Sequence, residues 1–287
     1  APSKISDFCP IYKGEDESDV IVSQFDKDDV EAVGLVKFDF LGLSNLTVMD
    51  KAIKIIAKKG LTKDLIDINH LKLDDPKVFK LLQECDTTGV FQLESEGMRG
   101  YLKKLKADCF EDIVAMLALY RPGPLDAGMV DDYIQVKHGA KVRYPHKMLE
   151  EILKPTNGVF LYQEQVMKSA QIMAGYSLGG ADILRRAMGK KKAEEMAQQR
   201  EVFVKGAAKK NIDKDKANEI FDLIDKFSGY GFNKSHSVAY AYISYQTAWL
   251  KAHYPAPFMA AVLSGVMDDT DRIAFTVGES KKKGIKI

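Results

Sequence analysis

Three stretches of this chain combine residue types that could work on phosphates. Lys37 and Asp39 stand two apart, so on a β-strand both side chains leave the same face. A carboxylate beside an ammonium can hold a metal ion and a phosphate together. The same pair also suits an ordinary solvated strand face with a weak ion pair. The second stretch, Gly179 to Lys192, carries Arg185, Arg186, Lys190, Lys191 and Lys192 with no acid in its C-terminal part. Arginine forks suit bidentate phosphate contact, and lysine supplies a point charge. It is not a Walker A loop, because the glycine spacing is wrong and no Ser or Thr follows Lys190. A solvated charge run balanced by Glu194 and Glu195 is the competing account.

The third stretch, Lys226 to Ser237, interleaves Phe227, Tyr230 and Phe232 with Lys234, Ser235 and His236. Rings between cations and hydroxyls are how stacking and phosphate contact are combined on nucleotides, and Gly229 and Gly231 permit close backbone approach. A plain helix-capping turn would use the same residues. The stretch lacks the third glycine of a dinucleotide fingerprint, and a helix rather than a strand precedes it. Ser235-His236-Ser237 cannot form a hydrolytic triad by itself. His70, His138, His146 and His253 show no metal-ligand spacing and read as surface or capping histidines, and Ser95 reads as a helix cap.

The elements that must position these residues follow from periodicity. Val36, Phe38 and Phe40 alternate with Lys37, Asp39 and Leu41, which predicts a strand with one buried face, ended by Gly42. Val20-Ile21-Val22, Gln24-Phe25, Val90 to Leu93 and Val159 to Tyr162 are further short strand candidates. From Leu46 the pattern turns helical. Leu46, Met49, Ile53 and Ile56 recur at helical spacing before a stop at Gly60. Asp75-Pro76 reads as a cap with proline in the first turn, and Arg121-Pro122-Gly123-Pro124 halts an apolar helix over 110–120. Helices are predicted near 163–174, 180–188, 193–210 and 214–227, the last capped by Asp213. An aromatic helix from about Val238 to Tyr254 follows, with Tyr242, Tyr245 and Trp249 on a core-facing side.

Composition narrows the classes. Against 42 basic residues stand 41 acidic ones, for a formal charge of +1, so any nucleic-acid contact must rest on local positive potential. Cys9, Cys85 and Cys109 are isolated, which excludes a disulfide framework and a zinc ribbon, reads as small core side chains, and suits a reducing cytoplasm. No apolar run reaches the roughly 18 residues of a membrane span. Both ends read as cut, and the chain as a piece of a longer protein.

Lys37-Phe38-Asp39-Phe40-Leu41-Gly42-Leu43 resembles the palm strand that bears the third catalytic aspartate in the C family of bacterial replicative DNA polymerases, the alpha subunits of DNA polymerase III. Thr88 to Ser95, Tyr120 to Leu125, Leu161 to Gln165, Leu184 to Lys191 and Gly229 to His236 resemble fingers motifs in that family's order. The resemblance spans essentially the whole chain. It implies an α+β, mainly helical fold: the C-terminal part of a polymerase-beta-like nucleotidyltransferase palm over 1–44, incomplete here, and a fingers domain over 45–287.

The implied chemistry is attack of a primer 3′-hydroxyl on the alpha phosphate of a deoxynucleoside triphosphate, supported by two magnesium ions (Mg2+). The resemblance makes Asp39 a metal ligand and Lys37 a cation near the reacting phosphates. Arg185 and Arg186 would grip the triphosphate, and His236 with Tyr230 and Ser235 would line its sugar and base side. Arg121, Lys190 and Lys234 are further nucleotide-binding candidates. The implied partners are template-primer DNA, deoxynucleoside triphosphates and, through regions mostly outside this chain, the sliding clamp, clamp-loader and proofreading subunits. The family's other two catalytic aspartates form an Asp-x-Asp pair on a strand. Asp26-Lys27-Asp28 and Asp213-Lys214-Asp215 have the spacing but no apolar strand around them, so residues 1–287 alone are expected to be inactive. The competing class is a non-enzymatic helical module that binds single-stranded nucleic acid or a protein partner.

Overall fold

The computed structural model describes residues 1–13, 20–64, 66–190 and 193–287, the side chains of Lys190, Ala193 and Ser228 excepted. The chain divides into two units, Ala1–Ser44 and Asn45–Ile287.

In the first unit, strands Ile11–Lys13 and Ile21–Ser23 pair antiparallel, with Tyr12 opposite Val22. The first of these strands has no counterpart in the sequence reading, and Gln24-Phe25 is a bend rather than a strand. Helix Lys27–Ala32 begins at Asp26, whose carboxylate accepts from the amides of Asp28 and Asp29 at 2.8 and 2.9 Å. The predicted strand over Val36 to Leu41 does not form: these residues carry no regular structure. Val36, Phe38, Phe40 and Leu41 are 69%, 73%, 94% and 92% exposed. Alternation marks which side chains could face a core, but a strand also needs a neighbour for its amides and carbonyls. Among the described residues, the two strands of the hairpin pair only with each other.

The second unit is helical. Helix Ser44–Lys58 buries Val48, Met49, Ala52 and Ile56, while Leu46 is exposed, so the apolar stripe is shifted from the predicted one. Asp75 caps helix Pro76–Gln83 by accepting from Lys77 N at 2.8 Å, and Ser95 caps Glu96–Leu105 by accepting from Met98 N at 3.3 Å. Helix Phe110–Leu119 buries most of its residues, as its apolar composition requires. It packs with Pro76–Gln83 and Glu96–Leu105 around the long helix Lys234–His253.

Tyr245 of that long helix is fully buried. Its hydroxyl donates to Lys72 O at 2.8 Å and accepts from Asp75 N at 2.9 Å. Tyr242 and Trp249 are only half-buried. A second core joins helices Gln163–Ala174, Leu178–Lys190, Ala193–Ala208 and Lys214–Ser228. A third joins Ser44–Lys58 to Pro255–Leu263. Of the cysteines, Cys9 is buried, whereas Cys85 and Cys109 are partly exposed.

Two predicted strands of this unit are turns instead. Over Val90 to Leu93 the backbone turns through Gln92 at φ +61°. The polar groups a ladder would have paired are met by hydroxyls of the long helix: Phe91 N donates to Thr247 Oγ1 at 3.1 Å, and Ser244 Oγ donates to Phe91 O at 2.8 Å. Val159 to Tyr162 forms only a single parallel bridge, Tyr162 to Phe232. Buried Gln165 holds that segment, accepting from Leu161 N and Tyr162 N at 2.8 and 2.9 Å. Among the described residues, no helix is long and apolar enough to cross a membrane.

Candidate functional site

Three segments far apart in sequence meet around the start of the long helix. Helix Phe110–Leu119 ends where proline must stop it, and Arg121 follows in extended backbone. Its Nε donates to Ala118 O at 2.8 Å and its Nη2 to Tyr230 O at 2.6 Å. The guanidinium carbon lies 4.4 Å from the centre of the Phe232 ring. Burial lowers the Arg121 pKa from its ordinary value. Two residues on, Gly123 leaves the space that the Tyr230 ring occupies; a Cβ there would collide with that ring. Gly231 is likewise wedged against Phe227 and Gln163, so close packing rather than a left-handed backbone explains it.

The loop closes on the third segment. Phe232 N donates to Leu161 O at 3.2 Å, and Gln163 N donates to Phe232 O at 2.9 Å. Asn233 caps the long helix by accepting from His236 N at 2.8 Å. Glu164 accepts from Lys234 N at 3.1 Å through both oxygens. That carboxylate sits where an anion would otherwise meet the positive end of the helix. The Lys234 ammonium lies 5.5 Å from the Tyr162 ring centre.

From Phe232 a file of rings runs along the helix. Phe232 and His236 are 5.5 Å apart between ring centres, His236 and Tyr240 4.1 Å, and Tyr240 and Phe91 5.3 Å. His236 and Ser235 are exposed. Ser237 is buried and donates to Val114 O at 2.6 Å, so its hydroxyl serves packing rather than a triad. Glu164 falls within the Leu161 to Gln165 motif without an individual role expected for it, and Tyr240 lies outside the candidate residues. The spacing of Phe232, His236 and Tyr240, four residues apart each time, was the available signal for the second.

The arginine pair stands differently. Arg185 and Arg186 lie on helix Leu178–Lys190, which already includes Gly179 and Gly180. Both bind one carboxylate: Arg185 Nε and Nη2 reach Asp182 Oδ1 at 2.8 Å, and Arg186 Nε reaches Asp182 Oδ2 at 2.8 Å. The balancing acid is thus Asp182, one turn back, rather than Glu194 or Glu195. The Asp182 carboxyl is held below the usual carboxylate range, first by the hydrogen bond from Arg185, then by the charges of both arginines. The side chain of Lys190 lies outside the described residues, as do Lys191 and Lys192.

In the first unit Lys37 and Asp39 are exposed, and Lys37 Nζ lies 3.7 Å from Glu31. The shared strand face predicted for them does not form, since Val36 to Leu41 carry no regular structure. The two Asp-x-Asp pairs are otherwise engaged. Asp26 and Asp213 are helix caps, the second accepting from Asp215 N and Lys216 N at 2.9 and 3.2 Å. One cluster of potential ligands, Asp108, Cys109 and Asp112, occurs among the described residues. The Lys137 ammonium already sits in it, 2.8 Å from Asp108 and 2.7 Å from Asp112. That is an ion-pair network, not a metal site. Asp39 offers one exposed carboxylate, which fits a metal site completed by further carboxylates and phosphates.

The family model for the finger domain of the bacterial DNA polymerase III alpha subunit matches residues 45–211. The model for the alpha NTPase domain of the same subunit matches residues 1–42. The DNA polymerase III subunit alpha of Pseudomonas fluorescens is 58% identical over 295 residues. Those of Escherichia coli K12 and Vibrio cholerae are each 55% identical over 295 residues. Every one of these alignments covers 100% of this chain and 25% of the relative's length.

Proposed function

Since the chain belongs to the bacterial DNA polymerase III alpha subunit family, we propose that it is the stretch of a DNA-directed DNA polymerase running from the end of the palm, residues 1–44, through fingers, residues 45–287. The observation that carries this reading is the meeting of Arg121, Gln163, Glu164 and the 229–240 segment, far apart in sequence, around one row of rings in which His236 is exposed and Phe232 and Tyr240 are half-buried. In this reading the row receives the sugar and base of a deoxynucleoside triphosphate. His236, Tyr230 and Ser235 line that side, with Lys234 beside them. Arg185 and Arg186, with Lys190, take the phosphates by turning their forks from Asp182 to a ligand of higher charge.

Two magnesium ions, when bound, would stabilise the attacking and leaving oxygens of the transfer. This chain's part is the Asp39 carboxylate as one ligand and the Lys37 ammonium beside the phosphates. The primer 3′-hydroxyl attacks the alpha phosphate and pyrophosphate leaves. Template-primer DNA is the second substrate, and the cytoplasm is the compartment where replication of this kind takes place. Contacts to sliding clamp, clamp loader and proofreading subunit are assigned mostly to segments outside residues 1–287.

The test is Asp39→Asn in a full-length alpha subunit carrying this stretch. The substitution keeps the shape and removes the charge. Primer extension should fall by about 10²–10³ or more, as when a transition-state charge loses its stabilising partner, while thermal melting is unchanged. A folded Asp39→Asn subunit that extends primers at the original rate removes Asp39 from the mechanism. Residues 1–287 alone should extend no primer, because this stretch brings a single candidate carboxylate to the metals.

A further inference from the structure

Arg121 looks from its type like a phosphate ligand, but its geometry describes other work. Of the five N–H donors of a guanidinium, Nε is committed to Ala118 O at 2.8 Å and one on Nη2 to Tyr230 O at 2.6 Å. Ala118 O is among the last four carbonyls of helix Phe110–Leu119, which the helix itself leaves unpaired. The face of the same group rests 4.4 Å from the centre of the Phe232 ring. One planar cation therefore binds a helix end, a loop carbonyl and a ring at once, across more than a hundred residues of sequence. Gly123 admits the Tyr230 ring beside it.

We infer that Arg121 is a positioning residue: it anchors the 229–232 loop so that the row Phe232, His236 and Tyr240 is preformed for a nucleotide. Phe232 is the contact through which it acts, since that ring touches both the guanidinium, at 4.4 Å, and the His236 ring, at 5.5 Å between centres. The inference rests on the polymerase reading only for its kinetic arm. Lysine cannot substitute in this role, because an ammonium is a compact point charge without the fork that spans two carbonyls or the plane that covers a ring. A direct phosphate ligand would behave otherwise, with lysine retaining much of its effect.

In a full-length alpha subunit, Arg121→Gln and Arg121→Lys should each raise the nucleotide KM about tenfold, as loss of a charge-assisted contact does. The effect of Arg121→Gln should be non-additive with Phe232→Leu and additive with Arg185→Ala. A purely structural role would lower the active fraction and leave KM alone. The second arm needs no catalysis. In residues 1–287 the His236 ring protons lie against the Tyr240 ring, 4.1 Å between centres. Their NMR shifts should move toward random-coil positions in Arg121→Lys while the helical circular dichroism is retained. Normal KM in Arg121→Lys, additivity with Phe232→Leu, or unmoved His236 resonances would each overturn the inference. Failure of the unsubstituted full-length subunit to extend primers would instead sink the polymerase reading, with the His236 resonances still deciding whether Arg121 holds the row.

Discussion

Residues 36–41 and residues 229–240 both interleave aromatic rings with charged groups, and the two segments end very differently. In the first, Phe38 and Phe40 are 73% and 94% exposed, and the backbone takes no regular form. In the second, the Phe232 ring touches both the Arg121 guanidinium and the His236 ring, and its backbone bridges Leu161 and Gln163. The difference is partners. Segment 229–240 draws an arginine, a glutamine and a glutamate from two distant parts of its own unit, whereas among the described residues Lys37 pairs with Glu31, six positions away. A motif's residue types thus announce its chemistry, but its geometry exists only where other segments supply hydrogen bonds and walls.

Substitutions can press on that contrast. After Asp39→Asn, the largest effect is expected at the arginine pair, whose proposed part does not depend on the packed loop. In a full-length subunit, Arg185→Ala or Arg186→Ala should lose about 1.5–3 kcal/mol of nucleotide interaction, read as higher KM, lower turnover or both. The melting temperature should move little, because solvent-accessible pairs such as the half-exposed ones with Asp182 contribute little to stability. Unchanged kinetics in both variants would make the pair a solvated surface.

Next comes Gly123→Val in residues 1–287. The added carbons must push the Tyr230 ring aside, and overpacking of this kind costs about 1–3 kcal/mol in chemical denaturation. Phe40→Ser is the matching change in the other segment, and it should shift stability by no more than about 0.5 kcal/mol. Equal losses in the two variants would erase the distinction between the segments.

Glu164→Gln is smaller still. It removes a negative charge from the positive end of helix Lys234–His253 while leaving an acceptor, so about 0.3–1 kcal/mol should be lost, less at high salt. The smallest effect is a titration. Asp182 is held below the usual carboxylate range by Arg185 first and Arg186 second. A folded-state pKa below the unfolded one stabilises the protein above the unfolded value. That contribution is lost as pH falls through the folded value, so the window lies at acid pH. Carboxyl NMR of Arg185→Ala should show the Asp182 titration moving back up toward its ordinary range.

The amino-acid sequence by itself determined the helices with clear caps or periodicity, because those signals are local, whereas helices Lys27–Ala32 and Pro255–Leu263 were not expected from it. Asp75-Pro76, Ser95, Asp213 and the stop at Arg121-Pro122 act within a turn of the residues that announce them. It also identified, by residue type and by resemblance, most of the residues that gather around the long helix. Tertiary structure alone decided the strands and the wiring. Val90 to Leu93 and Val36 to Leu41 both read as short strands, yet the first turns, with Thr247 and Ser244 meeting its backbone, and the second forms no strand among the described residues. Likewise nothing near Arg121 in sequence foretells Tyr230 O, and nothing near Lys234 foretells Glu164. A hydrogen bond between residues tens of positions apart leaves no periodicity in the chain, since either partner would read the same without the other; only the folded packing brings donor and acceptor within 3 Å or so of each other.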